Sequence, residues 1–560
     1  MQSTCTWAHT YHYTTTDGLH AMANWNTYRH LVECYDERQE WEQLVSVGDR
    51  QRLNLGTEAL GRHGDSTETA LRLRDFRTGE SDQYSFAELD TAANRVANYL
   101  TAHTDRAARV AAMLPARFEL YATIFGTLKA GRVYVPLAPV FGPEAVRYRV
   151  NDAEASVLVT DPEGVGTIEE DPPSLDRVLL VDGDTELADV SVDPHGSLGD
   201  HDDEFKTVET HPNDPYAISY TSGTTGQPKG TVKRHRGPIE SNAYGRFVTQ
   251  LDPDDVYFVA APPAWSYGLI RGSISPGIVG TAIGAYRGPF DPGMLLDTFE
   301  EFGVTNAMIP PTALRQIKSD GVEPLNSELD TLVTVGESLD AETVDWCREF
   351  FGTRPLDGYG LTEAGMCICN YPFDDWTVNP GSMGRPVPGT DVALLDDDGT
   401  PVDQGEVGEI AIRRDEHAHG QYWGQPAATF AKFTGQWLRT DDLARQNEDG
   451  YYWYVGRKDS VIVSAGYRIG PEEVEETLLK HERVSEAVVV GKSDDVRGEI
   501  VKTYVKLSGE MGGDDDLADD IAAFARSELS KHQYPREVEF VEEFPRTSTG
   551  KIARKDLEEP

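Results

Sequence analysis

The sequence is poor in cysteine, with five in 560 residues. Cys5, Cys34, Cys347, Cys367 and Cys369 lack the even, regular spacing of a disulfide framework. Cys367 and Cys369 are too close for the Cys-x-x-Cys knuckle of a metal site. A reducing cytoplasm is the expected compartment. No run of eighteen apolar residues occurs, and no basic stretch followed by an apolar one opens the chain, which argues against a transmembrane helix and a signal peptide. Basic residues are also scarce: 51 Lys and Arg stand against 95 Asp and Glu, a formal net charge of −44. The acids run along the whole chain rather than forming a tail. Such a surface repels phosphate backbones and anionic membranes, which argues against nucleic-acid binding as the main role. It also repels itself unless salt screens it, and at molar ionic strength the Debye length is roughly 3 Å. The composition therefore points to a salt-rich cytoplasm. Residues 1–21 depart from this pattern, with no Lys or Arg and a single acid, Asp17. We expect them to be a disordered tail or an over-long start, with Met22 as the true first residue.

A chain of this length exceeds one compact core, so two to four domains are expected. From about Tyr84, amphipathic helical segments such as SFAELDTAANRVANYLTAH alternate with apolar strands such as RVAAMLP, the pattern of an α/β domain with largely parallel sheets. The acidic loops between Asp161 and Pro215 carry no evident chemistry. From Val392 the segments become short and β-like, and the last hundred residues read as an α+β module. The predicted fold is α/β: a large N-terminal domain of α/β sheet layers over 22–458, with a β-rich subdomain at about 385–458, and a small α+β C-terminal domain over 459–560.

One stretch, YTSGTTGQPKG at 220–230, packs three glycines, four Ser and Thr hydroxyls and a lysine into a segment that follows a strand. Glycines let backbone amides turn toward an anion, hydroxyls add donors and Lys229 adds charge, a combination suited to a polyphosphate. It is not a Walker loop, because Lys229 is followed by Gly230 rather than Ser or Thr. Taken alone it reads equally as a surface turn.

The stretch resembles the phosphate-loop signature of the adenylate-forming superfamily, which comprises acyl-CoA synthetases, luciferases and the adenylation domains of peptide synthetases. Five further motifs follow in that superfamily's order: VGESLD, DGYGLTEAG, WLRTDDLA, YVGRKDSVIVSAGYRIGPEEVE and PRTSTGKIARKDL. Singly, Lys551 or Arg457 is a solvated surface charge and Glu363 a helix cap; jointly the six motifs are a signature. The resemblance implies a nucleotide site made of Thr221, Ser222, Gly223, Thr224, Thr225, Gly226, Lys229, Gly336, Glu337, Ser338, Asp357, Gly358, Tyr359, Gly360, Leu361, Thr362, Asp442, Arg457 and Lys551. Within it, Tyr359 would stack on adenine, Thr362 would reach the α-phosphate, Asp442 would take the ribose hydroxyls and Glu363 would hold Mg²⁺. Lys229, Thr362 and Lys551 are the implied catalytic groups, and Asp459 the hinge of a mobile C-terminal domain. Asp441 stands where the superfamily has glycine.

The implied reaction is activation of a carboxylic acid by ATP as acyl-AMP, followed by transfer to a thiol. GYRIGPEEVE, VRGEIVK and HQYPREVEFV resemble the medium-chain acyl-CoA synthetase branch, which implies CoA as acceptor near Ala465, Gly466, Tyr467, Arg468, Arg497 and Tyr534. In the acetate-specific branch a tryptophan stands where this chain has Gly360, so a deeper acyl pocket is expected, with Trp265 on its wall. The expected substrate is a medium-chain, branched or aromatic acid. The alternatives are an acetyl- or propionyl-CoA synthetase, or an acyl-AMP-forming enzyme without CoA transfer. A homo-oligomer is left open.

Overall fold

The computed structural model describes residues 28–46, 50–168, 172–184, 190–221, 227–324, 329–337, 339–373, 376–377, 379, 381–413, 420–458, 460–464, 467–494, 497–509, 512–529, 533–546 and 552–557. Residues 1–21 lie outside them. The chain divides into two compact units. One holds Met1–Pro380, Gly384–Asp391 and Arg413–Leu438; the other holds Gly381–Met383, Val392–Ile412 and Arg439–Pro560.

In the first unit, local chemistry sets the helix Phe86–His103. Ser85 Oγ accepts the Glu88 N–H at 3.2 Å, while the Glu88 carboxylate accepts the Ser85 N–H at 2.8 Å, a reciprocal cap that satisfies two otherwise orphaned donors. Leu89, Ala93, Val96, Ala97 and Leu100 then fall on one buried stripe at helical spacing. The strand after it, Arg109–Met113, pairs in parallel with Val133–Pro136 and Ala155–Thr160. Its residues are apolar almost throughout, as expected of a strand covered on both faces. Among the described residues these strands belong to a seven-stranded sheet in the order Ser191–Pro194, Arg177–Leu180, Ala155–Thr160, Arg109–Met113, Val133–Pro136, Pro215–Thr221, Lys229–Arg234. Only the last pair is antiparallel.

A second sheet of this unit runs Ser81–Ser85, Thr69–Asp75, Ala282–Arg287, Val256–Val259, Asn306–Met308, Thr331–Val335, Pro355–Leu361, Gly365–Cys369. Its central strands are parallel, with antiparallel hairpins at both ends. Crossover helices such as Pro292–Phe302 and Ala341–Phe351 bury Leu295, Phe299, Cys347 and Phe351 against it. The α/β layers expected from the alternating pattern are therefore present.

The second unit contains the β-rich segment, with Val392–Leu395 paired to Val407–Arg413 and Trp437–Gln446 paired to Tyr452–Arg457, all antiparallel. It also contains the α+β module. There Val484–Asp494 and Gly498–Leu507 form a long hairpin flanked by Ile462–Ser464, Tyr467–Ile469 and Glu537–Phe540, and the helices Pro471–Leu478 and Asp515–Glu528 bury Val474, Leu478, Ile521 and Ala525.

Cys347, Cys367 and Cys369 are buried free thiols. No helix among the described residues is long and apolar enough to cross a membrane.

Candidate active site

The glycine-rich stretch joins the antiparallel strands Pro215–Thr221 and Lys229–Arg234, with Thr221 opposite Lys229. Ser222, Gly223, Thr224, Thr225 and Gly226 lie outside the described residues, but both flanks are fixed. Tyr148 donates its hydroxyl to the Pro228 carbonyl at 2.9 Å, and Tyr220 donates to Asp152 Oδ2 at 2.7 Å. Gly230 has no room for a side chain, since a Cβ there would lie 2.6 Å from Ile218 Cγ2. Strand alternation puts Lys229, Thr231 and Lys233 on one face. The Lys229 ammonium lies over the Tyr422 ring, 5.3 Å from its centroid, and Lys233 donates to the carbonyl of Thr362. Burial pushes the Lys233 ammonium down to about 8, against the opposing pull of the Glu363 carboxylate.

The adenine-side and Thr-Glu motifs meet at the carboxyl ends of neighbouring strands, the end at which open α/β sheets bind ligands. Val335 pairs with Gly358, so Gly336 and Glu337 leave their strand beside Tyr359 and Gly360. Gly336 turns with φ +100, a conformation that residues with a side chain rarely take. Glu337 accepts from Thr312 Oγ1 at 2.7 Å and from Arg315 Nη1 at 3.4 Å. Asp357 and Tyr359 are buried, and Asp357 Oδ1 accepts the Gly358 N–H at 2.9 Å. Ser338 lies outside the described residues.

Beyond Leu361 the turn presents Thr362 and Glu363. Glu363 Oε1 accepts the Tyr422 hydroxyl at 2.8 Å, and the Glu363 carbonyl accepts the Gly420 N–H at 3.1 Å. Among the described residues no cluster of three or more His, Cys, Asp or Glu could cage a metal. A single carboxylate beside the glycine-rich hairpin fits Mg²⁺ instead, which is commonly held by one or two carboxylates together with substrate phosphates and water.

Gly360 pairs with Met366 across the hairpin. A Cβ there would lie 2.6 Å from the Gly365 carbonyl oxygen and 2.8 Å from Met366 Sδ, so the hairpin itself fills the space where a side chain would start. Trp265 is half-buried, edge-on to Phe141 with centroids 5.7 Å apart, and packs in the same cluster as Tyr220 and Trp423.

In the second unit, Asp442 is buried, and its Oδ1 accepts from Arg457 Nη1 at 3.2 Å and from the Tyr454 hydroxyl at 3.1 Å. Asp441, in the place of a glycine, adopts φ +63. It keeps the left-handed backbone that glycine would supply, and Asp is among the side chains that tolerate it best. Its N–H is held by Glu409 Oε1 at 3.0 Å.

Of the residues expected around CoA, the described ones lie toward one end of the C-terminal sheet. Ser464 pairs with both Tyr467 and Gly498, so the segment at Tyr467 and Arg468 lies beside the turn bearing Arg497. Tyr534 precedes the strand Glu537–Phe540, which runs parallel to Gly498–Leu507. Arg536 and Arg526 lie over its ring at 4.1 and 5.3 Å, two cations absent from the sequence reading. Lys551, Asp459, Ala465 and Gly466 lie outside the described residues. Arg554, three residues beyond Lys551, bonds Glu475 Oε1 at 2.7 Å on the helix Pro471–Leu478.

Sequence reasoning missed Lys233 and Tyr422. The even, four-residue spacing from Lys229 along one strand signals Lys233, whereas nothing local signals Tyr422.

Residues 58–423 match the AMP-binding enzyme family and residues 473–551 the AMP-binding enzyme C-terminal domain. The chain belongs to this family. It is 33% identical to the acetyl-coenzyme A synthetase of Bacillus subtilis, covering 97% of this chain and 96% of that one. It is 31% identical to the mitochondrial acyl-coenzyme A synthetase ACSM3 of Rattus norvegicus, over 90% of both chains. Among solved structures, the anthranilate CoA ligase AuaEII in complex with anthranoyl-AMP is 28% identical, with a TM-score of 0.82 over 90% of this chain and 97% of that one.

Proposed function

We propose that the chain is an ATP-dependent, AMP-forming acyl-CoA synthetase. The observation that carries this is the meeting of Lys229, Thr362 and Glu363 around Tyr422 and Lys233, in a chain that matches the family over both of its parts. A substrate carboxylate oxygen attacks the α-phosphorus of ATP, the bond to the β-phosphate oxygen breaks, and pyrophosphate leaves. The CoA thiol then attacks the acyl carbonyl and AMP leaves. In-line displacement at phosphorus asks mainly for positioning and charge stabilisation.

The hairpin 220–230 and Lys229 receive the departing pyrophosphate. Mg²⁺, when bound, offsets phosphate charge, and Glu363 would hold it. Asp442 takes the ribose hydroxyls and Lys551 bridges the carboxylate and the α-phosphate. For the second step the C-terminal domain, residues 459–560, turns about Asp459 and brings the CoA residues to the site.

The finer reading is a medium-chain, branched or aromatic acid, activated in the salt-rich cytoplasm of a halophile. A neighbour solved in complex with anthranoyl-AMP, an aromatic acyl-adenylate, supports the size. An acetyl- or propionyl-CoA synthetase is the second reading, favoured by the Bacillus subtilis relative and by Met366 in the space beside Gly360. The test is pyrophosphate release with acetate, butyrate, octanoate and benzoate at high KCl, with and without CoA. Faster turnover of octanoate or benzoate than of acetate is expected, with acyl-CoA as product. Strict acetate preference would replace the size assignment, and CoA-independent turnover would replace the acceptor.

A further inference from the structure

Tyr422 belongs to none of the six motifs, yet it contacts a charged residue from each of two of them. Its hydroxyl donates to Glu363 Oε1 at 2.8 Å, and the Lys229 ammonium lies over its ring at 5.3 Å. The side chain is only 6% exposed. Its backbone is fastened to the hairpin by a bridge to Thr231, flanked by Val232 N–H to Gln421 O at 2.8 Å and Trp423 N–H to Gly230 O at 2.7 Å. Two residues earlier, Gly420 N–H holds the Glu363 carbonyl at 3.1 Å. The segment 420–423 is thus tied to both halves of the phosphate site, and the Tyr422 side chain reaches a charge of each.

A lone protein carboxylate facing a hard cation has no neighbouring ligand to share the task of orientation. Its rotamer must be set by an outer partner. A phenol suits that role. It donates one hydrogen bond to one oxygen, carries no charge near neutral pH and presents an electron-rich face to an ammonium.

We propose that Tyr422 is a positioning residue of the adenylation step. Its hydroxyl fixes Glu363 Oε1 so that Oε2 faces the divalent cation of the metal–ATP complex, and its ring keeps Lys229 turned toward the phosphates instead of pairing with Glu363. The inference rests on the reading of Glu363 as the metal carboxylate.

The test is Mn²⁺ binding to the full chain with a non-hydrolysable ATP analogue, followed by electron paramagnetic resonance, alongside calorimetry of the analogue without metal. Tyr422→Phe, which removes one oxygen and keeps the ring, is expected to weaken Mn²⁺ in the ternary complex about 10-fold, the usual effect of losing an outer-shell partner. Metal-free affinity for the analogue and Tm should stay at the wild-type values. In a Glu363→Gln background, itself weakened for Mn²⁺, Tyr422→Phe should add nothing. Thr429→Val loosens the Tyr422 N–H, held at 2.9 Å, without touching either charge, and should lower Tm alone. Wild-type Mn²⁺ affinity in Tyr422→Phe, or an equal loss with and without metal, overturns the proposal. Failure of the wild-type protein to bind metal and nucleotide together would instead remove the reading of Glu363 and the proposal with it.

Discussion

Arg457 and Asp442 occupy directly paired positions on adjacent antiparallel strands, with Arg457 Nη1 3.2 Å from Asp442 Oδ1. The guanidinium holds in place a buried carboxylate that is assigned to the ribose hydroxyls. Loss of hydrogen bonds to a charged group costs roughly 1.5–3 kcal/mol, so Asp442→Ala should raise KM for ATP about 10- to 100-fold, with a smaller change in kcat. Steady-state kinetics with ATP varied checks this. Equal losses in kcat and kcat/KM would assign Asp442 to the chemical step instead.

Asp441→Gly should stabilise the protein. A non-glycine residue in the left-handed region costs roughly 1–2 kcal/mol, and the added freedom of glycine in the unfolded chain returns about 0.5–1 kcal/mol of that. The lost contact with Arg457 is 3.8 Å long between half-exposed groups and is worth almost nothing. A net gain of about 0.5–1 kcal/mol is expected from denaturant midpoints.

Glu472 provides a pH handle. Burial raises its carboxyl to about 8, with Glu475 and Asp442 adding to the shift and Arg554 opposing it. Because the folded chain holds this proton more tightly than the unfolded one, the contribution to stability is full below the ordinary carboxylate range and falls as pH rises toward 8. Glu472→Gln should remove that slope and raise Tm relative to wild type above pH 8. Parallel Tm profiles for the two proteins from pH 5 to 9 would rule the effect out.

A net charge of −44 ties stability to ionic strength. Repulsion among exposed carboxylates is long-ranged at low salt and screened within roughly 3 Å at 1 M. Tm should therefore climb steadily as KCl is raised from 0.1 to 3 M, and activity should follow. A Tm indifferent to KCl would detach the composition from the salt-rich setting.

Gly360→Trp is expected to lower Tm, because overpacking against Gly365 and Met366 costs roughly 1–3 kcal/mol. Combining it with Met366→Ala should restore Tm and shift preference toward short acids in the pyrophosphate assay. Unchanged acyl preference in the double variant would place the size filter elsewhere.

Motif order made the chemistry legible before the fold, because each signature carries residue types that the reaction demands. The alternation of helix and apolar strand made the α/β layers legible as well. Partnerships between distant segments were not. Glu363 and Tyr422 are 59 positions apart, and the bridge between Thr231 and Tyr422 that brings them together leaves no local mark. Asp441 shows the opposite case, a mismatch to the motif whose backbone still does what the glycine would. At Gly360 the motif gave the residue correctly, but the filling of the space beside it depended on Met366, six positions later.

Two glycines set how near the helix Pro471–Leu478 comes to the strand Tyr452–Arg457. A Cβ on Gly470 would lie 2.2 Å from the Val455 carbonyl oxygen, and one on Gly456 would lie 2.4 Å from Glu472 Oε2. A methyl on Gly470 meets backbone and would act as a wedge under the helix, whereas one on Gly456 meets the movable end of the Glu472 side chain. Since Arg554 is moored to that helix through Glu475, the wedge would also displace the short helical turn Arg554–Leu557, so the seating of that turn is gauged by an atom missing more than eighty residues upstream.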